Sequence, residues 1–373
     1  MDPENSVSPV HGAKRIVTQK DIARELGISL ITVQRALNNS GYVSKEVRER
    51  IAGYIKENDY RPHRGASSLA KGSRELIGIF STREPESFWK EIRRGIAAAS
   101  KQIEYLGFQV EYYQIPYGDT PAYKDALMSM IGRNASAVAV VNNHEFDMSS
   151  IFSILDGSKI PYATFNIDAP ESKRLYYVGP DYYREGRIGG NILDRCIPGG
   201  GSIAYLYWKS KIPNQLAGAD INEERKRGLD DYCAECGRLA LHTIPLRKDG
   251  PNRRLFSAGD QETLEVLKSA KGLFVPHFEK RHFQELFGLL PKRIPILTSL
   301  YSNFTVEMLQ DDSLAGIVFQ DPVMQGALTV KTLENFILQG QKSKVSDFPI
   351  VPQVMIKENI GLSDNHMKLF SEE

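Results

Sequence analysis

The chain has no run of about 18 consecutive apolar residues, which excludes a membrane-spanning helix of ordinary length. It holds three cysteines, Cys196, Cys233 and Cys236, too few and too unevenly placed for a secreted disulfide framework. The N-terminal MDPENSVSPVHGAKR is polar and contains prolines instead of the apolar centre of a signal peptide, so a cytoplasmic protein is expected. Cys233-x-x-Cys236 is a single pair with only His242 nearby, whereas a structural zinc needs four ligands. No metal or other cofactor is expected. No Gly-x-Ser-x-Gly, His-Glu-x-x-His or P-loop pattern occurs, and the seven histidines do not cluster. Gly199-Gly200-Gly201 precedes a strand pattern, while phosphate-cradling glycines follow a strand and open a helix. An enzyme is therefore not expected.

Charge is present but unevenly spread. The net value is +1, yet residues 1–74 hold 13 Lys and Arg against 8 Asp and Glu, leaving the remainder at −4. A basic excess in a short N-terminal segment suits a polyanion, because each cation near a phosphate releases condensed counterions. A solvated surface accounts for the excess equally well, so charge alone does not decide between them; a structural feature must.

The pattern of residues 18–55 supplies one. Thr18 is placed to cap a short first helix in which Ile22, Ala23 and Leu26 share a face, and Gly27 ends it. Ser29 caps a second helix whose Val33 and Leu37 face the same core as Ile28, turning Leu30, Ile31, Gln34, Arg35 and Asn38 outward. A third helix starts after Ser44 and carries the stripe Val47, Ile51, Tyr54 and Ile55. This is a helix-turn-helix. The run Thr18-x-x-Asp21-Ile22-Ala23-x-x-Leu26-Gly27-Ile28-Ser29-x-x-Thr32-Val33-x-Arg35-Ala36-Leu37-Asn38, with Val43-Ser44-x-x-Val47-Arg48-x-Arg50-Ile51 and Tyr60-Arg61-Pro62, resembles the headpiece of the lactose repressor (LacI) family.

That resemblance implies a recognition helix in the major groove. Aliphatic Leu30 and Ile31 suit a thymine methyl, Gln34 suits adenine and Arg35 suits guanine. Many members of the family carry polar residues at the positions of Leu30 and Ile31, so this readout is partly apolar. Thr18, Ser29, Thr32, Asn38 and Tyr42 are expected on phosphates. Residues 61–73 alone read as a small-residue, basic linker. The match of Arg64-x-Ala66-x-x-Leu69-Ala70 to the family hinge implies a segment that turns helical on the operator and wedges Leu69 into the minor groove.

From Glu75 onward strand-like and helix-like runs alternate: ELIGIF, WKEIRRGIAAASKQIEYLG, FQVEYYQ, then AVAVV, with a second series from SIAYLYW. The reading is α/β with parallel sheets in two lobes, ligands binding beyond the strands' carboxyl ends. Val178-Gly179-x-Asp181, Gly186-Arg187-x-Gly189, Glu224-Arg225-x-x-Gly228 and Gln320-Asp321-Pro322-x-x-Gln325-Gly326 resemble the periplasmic-binding-protein-like effector domain of the same family. The implied organisation is a tail at 1–14, the headpiece at 15–61, a hinge at 62–74, an effector-binding and dimerisation domain at 75–360 and a tail at 361–373. Within it, the N-lobe takes about 75–195 and 302–345 and the C-lobe about 196–301 and 346–360, with crossings near 195, 301 and 345.

Each expected effector residue has a competing structural role. Phe88 and Trp89 stack on a ligand or pack in the core. Arg225 clamps the effector or forms a surface ion pair, and Asp181 binds hydroxyls or caps a helix. Asn166, Asp168, Trp208, His277, Tyr301 and Gln320 stand at strand ends. The family's usual Asn-Asp pair after the strand ending at Val275 is replaced by Pro276, His277 and Phe278. The expected function is a homodimeric transcriptional regulator, a repressor by family habit. It binds a pseudo-palindromic double-stranded operator and is controlled by a sugar or related metabolite in the inter-lobe cleft. A purine, polyol or other non-sugar effector, or a constitutive binder with a vestigial cleft, is the alternative. The C-terminal SDNHMKLFSEE has no leucine heptad for a tetramerisation tail.

Overall fold

The computed structural model describes residues 19–37, 41–58, 74–83, 85–209, 220–247, 255–256, 261–340 and 346–361. Its contacts divide into two units, residues 1–67 and 68–373.

In the first unit, α1 (Gln19–Leu26), α2 (Leu30–Leu37) and α3 (Lys45–Glu57) close a small core. Ile22, Ala23 and Val33 are buried together, and Leu26, Ile28, Leu30, Leu37, Tyr54 and Ile55 pack against them. Gly27 takes φ +62°, the left-handed conformation that ends α1 and that a side chain would strain. Ser29 starts α2 by accepting from Thr32 N–H at 3.0 Å. Arg50 ties α3 to the end of α1 by donating to the Leu26 carbonyl at 2.8 Å. Ser44 caps α3, accepting from Val47 N–H at 3.4 Å, and this long bond sets the scale of a first test. Ser44→Ala is expected to cost the headpiece about 0.5–1 kcal/mol, seen as a lower urea midpoint. An unchanged midpoint would show the cap to be idle.

The second unit contains two six-stranded sheets. In chain order its elements are β1 (Glu75–Thr82), α4 (Glu86–Glu104), β2 (Phe108–Ile115), α5 (Thr120–Gly132), β3 (Ala137–Val140), α6 (Met148–Ser158), β4 (Tyr162–Phe165), β5 (Tyr177–Pro180) and α7 (Tyr182–Cys196). There follow β6 (Gly201–Lys209), α8 (Ile221–Cys236), β7 (Leu239–Arg247), α9 (Gln261–Ser269), β8 (Gly272–Phe274), α10 (Lys280–Leu289), β9 (Ile296–Thr298) and α11 (Asn303–Gln310). The last are β10 (Gly316–Phe319), α12 (Pro322–Gln339), β11 (Phe348–Ile350) and β12 (Gln353–Met355).

The first sheet runs β11-β5-β4-β3-β1-β2, all parallel; the second runs β12-β10-β9-β8-β6-β7, parallel except for β12. Alternation along the strands builds a core on both faces. Ile77 and Ile79 meet α4 and α12, while Leu76 and Phe80 meet α5 and α6. In the second lobe Ile203 and Tyr205 face α7 and α8, and Ala204 and Leu206 face α9 and α10.

The expected crossings near 195, 301 and 345 are corrected. The chain leaves the first sheet after Pro180, returns between Phe319 and Pro322, and passes from β11 to β12 at 351–352. Helix-on-helix contact decides the first two. A Cβ on Gly186 would lie 2.0 Å from the Arg225 carbonyl and one on Gly228 2.0 Å from the Tyr183 carbonyl, so α7 is locked onto α8 in the second lobe. Gly95 and Gly326 make the same crossing between α4 and α12 in the first lobe, meeting the carbonyls of Val323 and Ile92 at 2.0 and 2.1 Å. In both pairs each glycine faces the carbonyl three residues before the opposing glycine. Strand β10, paired with β9, belongs to the second sheet, which places α11 and β10 outside the expected N-lobe.

Candidate functional site

On the headpiece, α2 presents Ile31, Gln34 and Arg35 at positions i, i+3 and i+4, all exposed, with Ile31 at 59%. Ser29 and Tyr42 are exposed beside them, and the Thr32 hydroxyl lies 2.8 Å from that of Ser29. The outward orientation expected for Leu30 is corrected: it is partly buried against the headpiece core. Leu30, Val33 and Leu37 are spaced i, i+3, i+7, so Leu30 lies on the inner stripe. Of the two aliphatic residues, Ile31 is the one that faces outward. Thr18, Asn38, Arg64, Ala66 and Leu69 lie outside the described residues.

In the second unit, polar side chains from several strand ends converge on one buried carboxylate. Glu185, in the first turn of α7, is 0% exposed. Its Oε1 accepts from Arg225 Nε at 2.8 Å and from the Ser299 hydroxyl, just beyond β9. Its Oε2 accepts from Gln320 Nε2 at 2.9 Å, just beyond β10. Arg225, also 0% exposed, directs Nη1 to Asn222 Oδ1 at 3.3 Å and Nη2 to His277 Nε2 at 3.1 Å. Its guanidinium sits 4.7 Å from the centre of the Tyr182 ring. Burial alone would pull the Arg225 guanidinium down, but Glu185 and the tyrosines around it carry it above its ordinary value. The chain of contacts ends at Trp208, whose Nε1 donates to the His277 carbonyl at 3.0 Å and whose own carbonyl accepts from Asn222.

The structure thus gathers Trp208, Arg225, His277 and Gln320 among the expected residues. It adds Glu185, Asn222 and Ser299, which sequence reasoning missed. Arg225 is neither an exposed clamp nor a surface ion pair in this arrangement, because no part of it reaches solvent. Trp89 is 3% exposed and meets Phe165 edge-on at 6.2 Å, which makes it core; Phe88 is half-buried against it. Asn166 adopts φ 60° at the end of β4 and donates to Gln325 Oε1 at 2.9 Å, linking β4 to α12 near the crossings. Its carbonyl accepts from Tyr182 at 3.0 Å, a bond from one lobe to the other.

Asp168 is taken up by Arg174, Thr164 and the Ala169 N–H, and Arg174 continues to Asp347 at 2.7 Å, which anchors the approach to β11. Asp181 caps α7 by accepting from Arg184 N–H at 2.9 Å, and Tyr301 packs edge-on against Phe319 at 5.2 Å. On the first lobe, Thr82 Oγ1 and Asn142 Oδ1 are buried at the ends of neighbouring strands without a protein partner. Buried polar atoms are paired as a rule, so these two are among the exceptions in the described residues. The available signal for Asn142 was the first polar residue after the apolar run in AVAVVN; Thr82 follows Ser81 in IFST and has no such mark.

Two family descriptions match the chain: "Bacterial regulatory proteins, lacI family" over residues 18–63 and "Periplasmic binding protein domain" over residues 77–276. The chain is 29% identical over 178 residues to the ribose operon repressor of Lactococcus lactis subsp. lactis, covering 48% of this chain and 50% of that protein. It is 37% identical over 86 residues to catabolite control protein B of Bacillus subtilis, covering 23% of this chain and 28% of that one. These matches thus span half or less of the curated relatives. Among solved structures, a putative LacI transcriptional regulator from Bacteroides fragilis superposes with TM-score 0.64 at 14% identity, covering 77% of this chain and 99% of that one. AraP, an arabinose-binding protein from Geobacillus stearothermophilus, superposes with TM-score 0.61 at 16% identity, over 80% of this chain and all of its own. Likeness at such identity establishes the fold of the second unit.

Proposed function

Because the chain belongs to the lacI family of bacterial regulatory proteins, with a periplasmic binding protein domain behind its headpiece, we propose that it is a DNA-binding transcriptional repressor controlled by a small sugar-class effector. The observation that carries this reading is the union in one chain of two parts: a helix-turn-helix with Ile31, Gln34 and Arg35 exposed along α2, and an α/β unit of two lobes joined by three crossings. Three-fold crossing supports hinge closure around a ligand. The relatives' names support a sugar: ribose operon repressors recur among them.

Ile31, Gln34 and Arg35 read bases, while Ser29, Thr32 and Tyr42 hold phosphates together with Thr18 and Asn38. The protein acts as a homodimer on a pseudo-palindrome. The effector sits at the strand ends, with His277, Trp208 and Phe88 offering surface and Thr82 and Asn142 offering polar atoms. Arg225 positions His277 from beneath. The protein is not an enzyme in this reading; it turns nothing over. Among the described residues no helix is long and apolar enough to cross a membrane.

The test is a fluorescence-anisotropy titration on duplexes selected from a random pool, with log Kd followed against log salt and repeated with added sugars. Specific binding that shifts with one sugar supports the proposal; affinity indifferent to every duplex sequence would end it. In the same assay, Leu69→Ala is expected to weaken specific binding by roughly tenfold or more while leaving nonspecific binding within about twofold, since only the operator complex uses a minor-groove wedge. Equal losses on both kinds of duplex would remove the wedge.

A further inference from the structure

We propose that six buried side chains close a circuit around the hinge and make the chain crossings open together, so that the two lobes change their angle in one cooperative step. The circuit runs through Asn166, Gln325, Gln320, Glu185, Arg225 and Tyr182 and returns to Asn166. Asn166 Nδ2 donates to Gln325 Oε1 at 2.9 Å, and Gln325 Nε2 donates to the Gln320 carbonyl at 2.9 Å. Gln320 Nε2 and Arg225 Nε then donate to the two oxygens of Glu185 at 2.9 and 2.8 Å. The Arg225 guanidinium lies over the Tyr182 ring, and the Tyr182 hydroxyl closes the circuit by donating to the Asn166 carbonyl at 3.0 Å. All six residues are buried.

Two of these links pass between the lobes. Tyr182, the first residue of α7 in the second lobe, holds the end of β4 in the first, and Gln325 on α12 in the first lobe holds the end of β10 in the second. The crossing at Pro180 to Tyr182 and the crossing at Phe319 to Pro322 thus share one loop of contacts. The third crossing, at 351–352, is tied to the first, because the Asp181 N–H donates at 3.0 Å to the carbonyl of Ile350, the last residue of β11. Asn166 carries both sides of the coupling: its carbonyl receives Tyr182 and its amide reaches Gln325, so a shift that breaks one link displaces the partner of the other. Inside a buried circuit no water replaces a broken bond, and turning the chain at one crossing while the others hold would strand polar groups. The backbone is held as well: Asn166 at φ 60° and Asp321 at φ 51° keep a left-handed conformation that a non-glycine residue adopts where its surroundings fix it. A hinge built this way has discrete angles instead of a continuous range, whichever effector the protein takes.

Hydrogen–deuterium exchange of the full-length protein tests this at two matched places. Just past the first two crossings, the N–H groups of Arg184 and Glu185 are held by Asp181, and those of Met324 and Gln325 by Asp321. In the wild type, segments 182–186 and 322–326 are expected to exchange with the same dependence on urea, as amides released by a single opening do. Tyr182→Phe removes one donor between the lobes and keeps the ring. It should speed exchange in both segments by about two- to tenfold, although the lost bond ends on β4 and not on α12. Tyr177→Phe is the control: it removes a donor at 2.7 Å to the same Asn166 carbonyl, but from within the first lobe, and should leave 322–326 at the wild-type rate. Acceleration in Tyr182→Phe that is confined to 182–186, or absent, overturns the proposal, as does equal acceleration of 322–326 in Tyr177→Phe. Different urea dependences of the two segments in the wild type overturn it too, and that comparison requires no variant to fold.

Discussion

Gly228→Ala is expected to unfold the second lobe at a temperature the wild type survives. The added methyl would sit 2.0 Å from the Tyr183 carbonyl oxygen and 3.0 Å from the Arg187 nitrogen, both backbone atoms of a helix that cannot turn aside. Relief requires α7 and α8 to separate by more than an ångström along their whole contact. That would open the packing of Leu229 and Leu193, and pull Arg225, one turn before Gly228, away from Glu185. Overpacking of this kind costs about 3 kcal/mol or more, a fall of at least about 6 °C in the unfolding midpoint. Gly157→Ala is the control: it lies in α6 with nothing within 4 Å of its added methyl, and should be neutral or slightly stabilising. Calorimetric scans of the two variants decide it, and a Gly228→Ala midpoint equal to that of Gly157→Ala would refute the close crossing.

Arg225→Met is the second large effect. It removes the cation and leaves the Glu185 carboxylate fully buried with only Ser299 and Gln320 for partners. Breaking a buried pair from one side costs about 3–5 kcal/mol, mostly as the penalty of the stranded charge. The pair itself contributes far less, so adding Glu185→Gln to Arg225→Met should recover more than half of the loss. A double-mutant cycle by urea denaturation gives the coupling directly. Losses that simply add would show that Arg225 and Glu185 do not depend on each other. The sequence pattern alone suggests that substituting Arg225 touches effector affinity and little else; its burial makes stability the first casualty.

These effects mark the line between what was legible and what was not. The headpiece was readable because its three helices are short and its signals local: Gly27 at the turn, Ser29 and Ser44 as caps, Val33 and Leu37 one turn apart. Leu30 stands at the first position of α2, where no preceding helical turn fixes its face, and only packing against Ile22, Ala23 and Val33 draws it inward. The two-lobed α/β plan was readable because buried strands and amphipathic helices alternate with different periods. Trp89 was undecidable, since an aromatic residue after a strand looks the same whether it faces a ligand or Phe165.

Glu185 was invisible for a physical reason. An acid in the first turn of a helix capped by Asp181 is what a solvent-exposed helix start also favours, so nothing local distinguishes a dipole partner from the centre of a buried cluster. Only the approach of α8, β9 and β10, separated from it by 40 to 135 positions, makes it the acceptor of three donors. The amino-acid order determined the helix-turn-helix, the strand and helix alternation and the basic bias of the N-terminal segment, because each depends on neighbours within a few turns. Tertiary packing decided where the lobes divide, which aromatic rings are core and which donors the buried Glu185 carboxylate collects, because those depend on residues that meet only after the chain has folded.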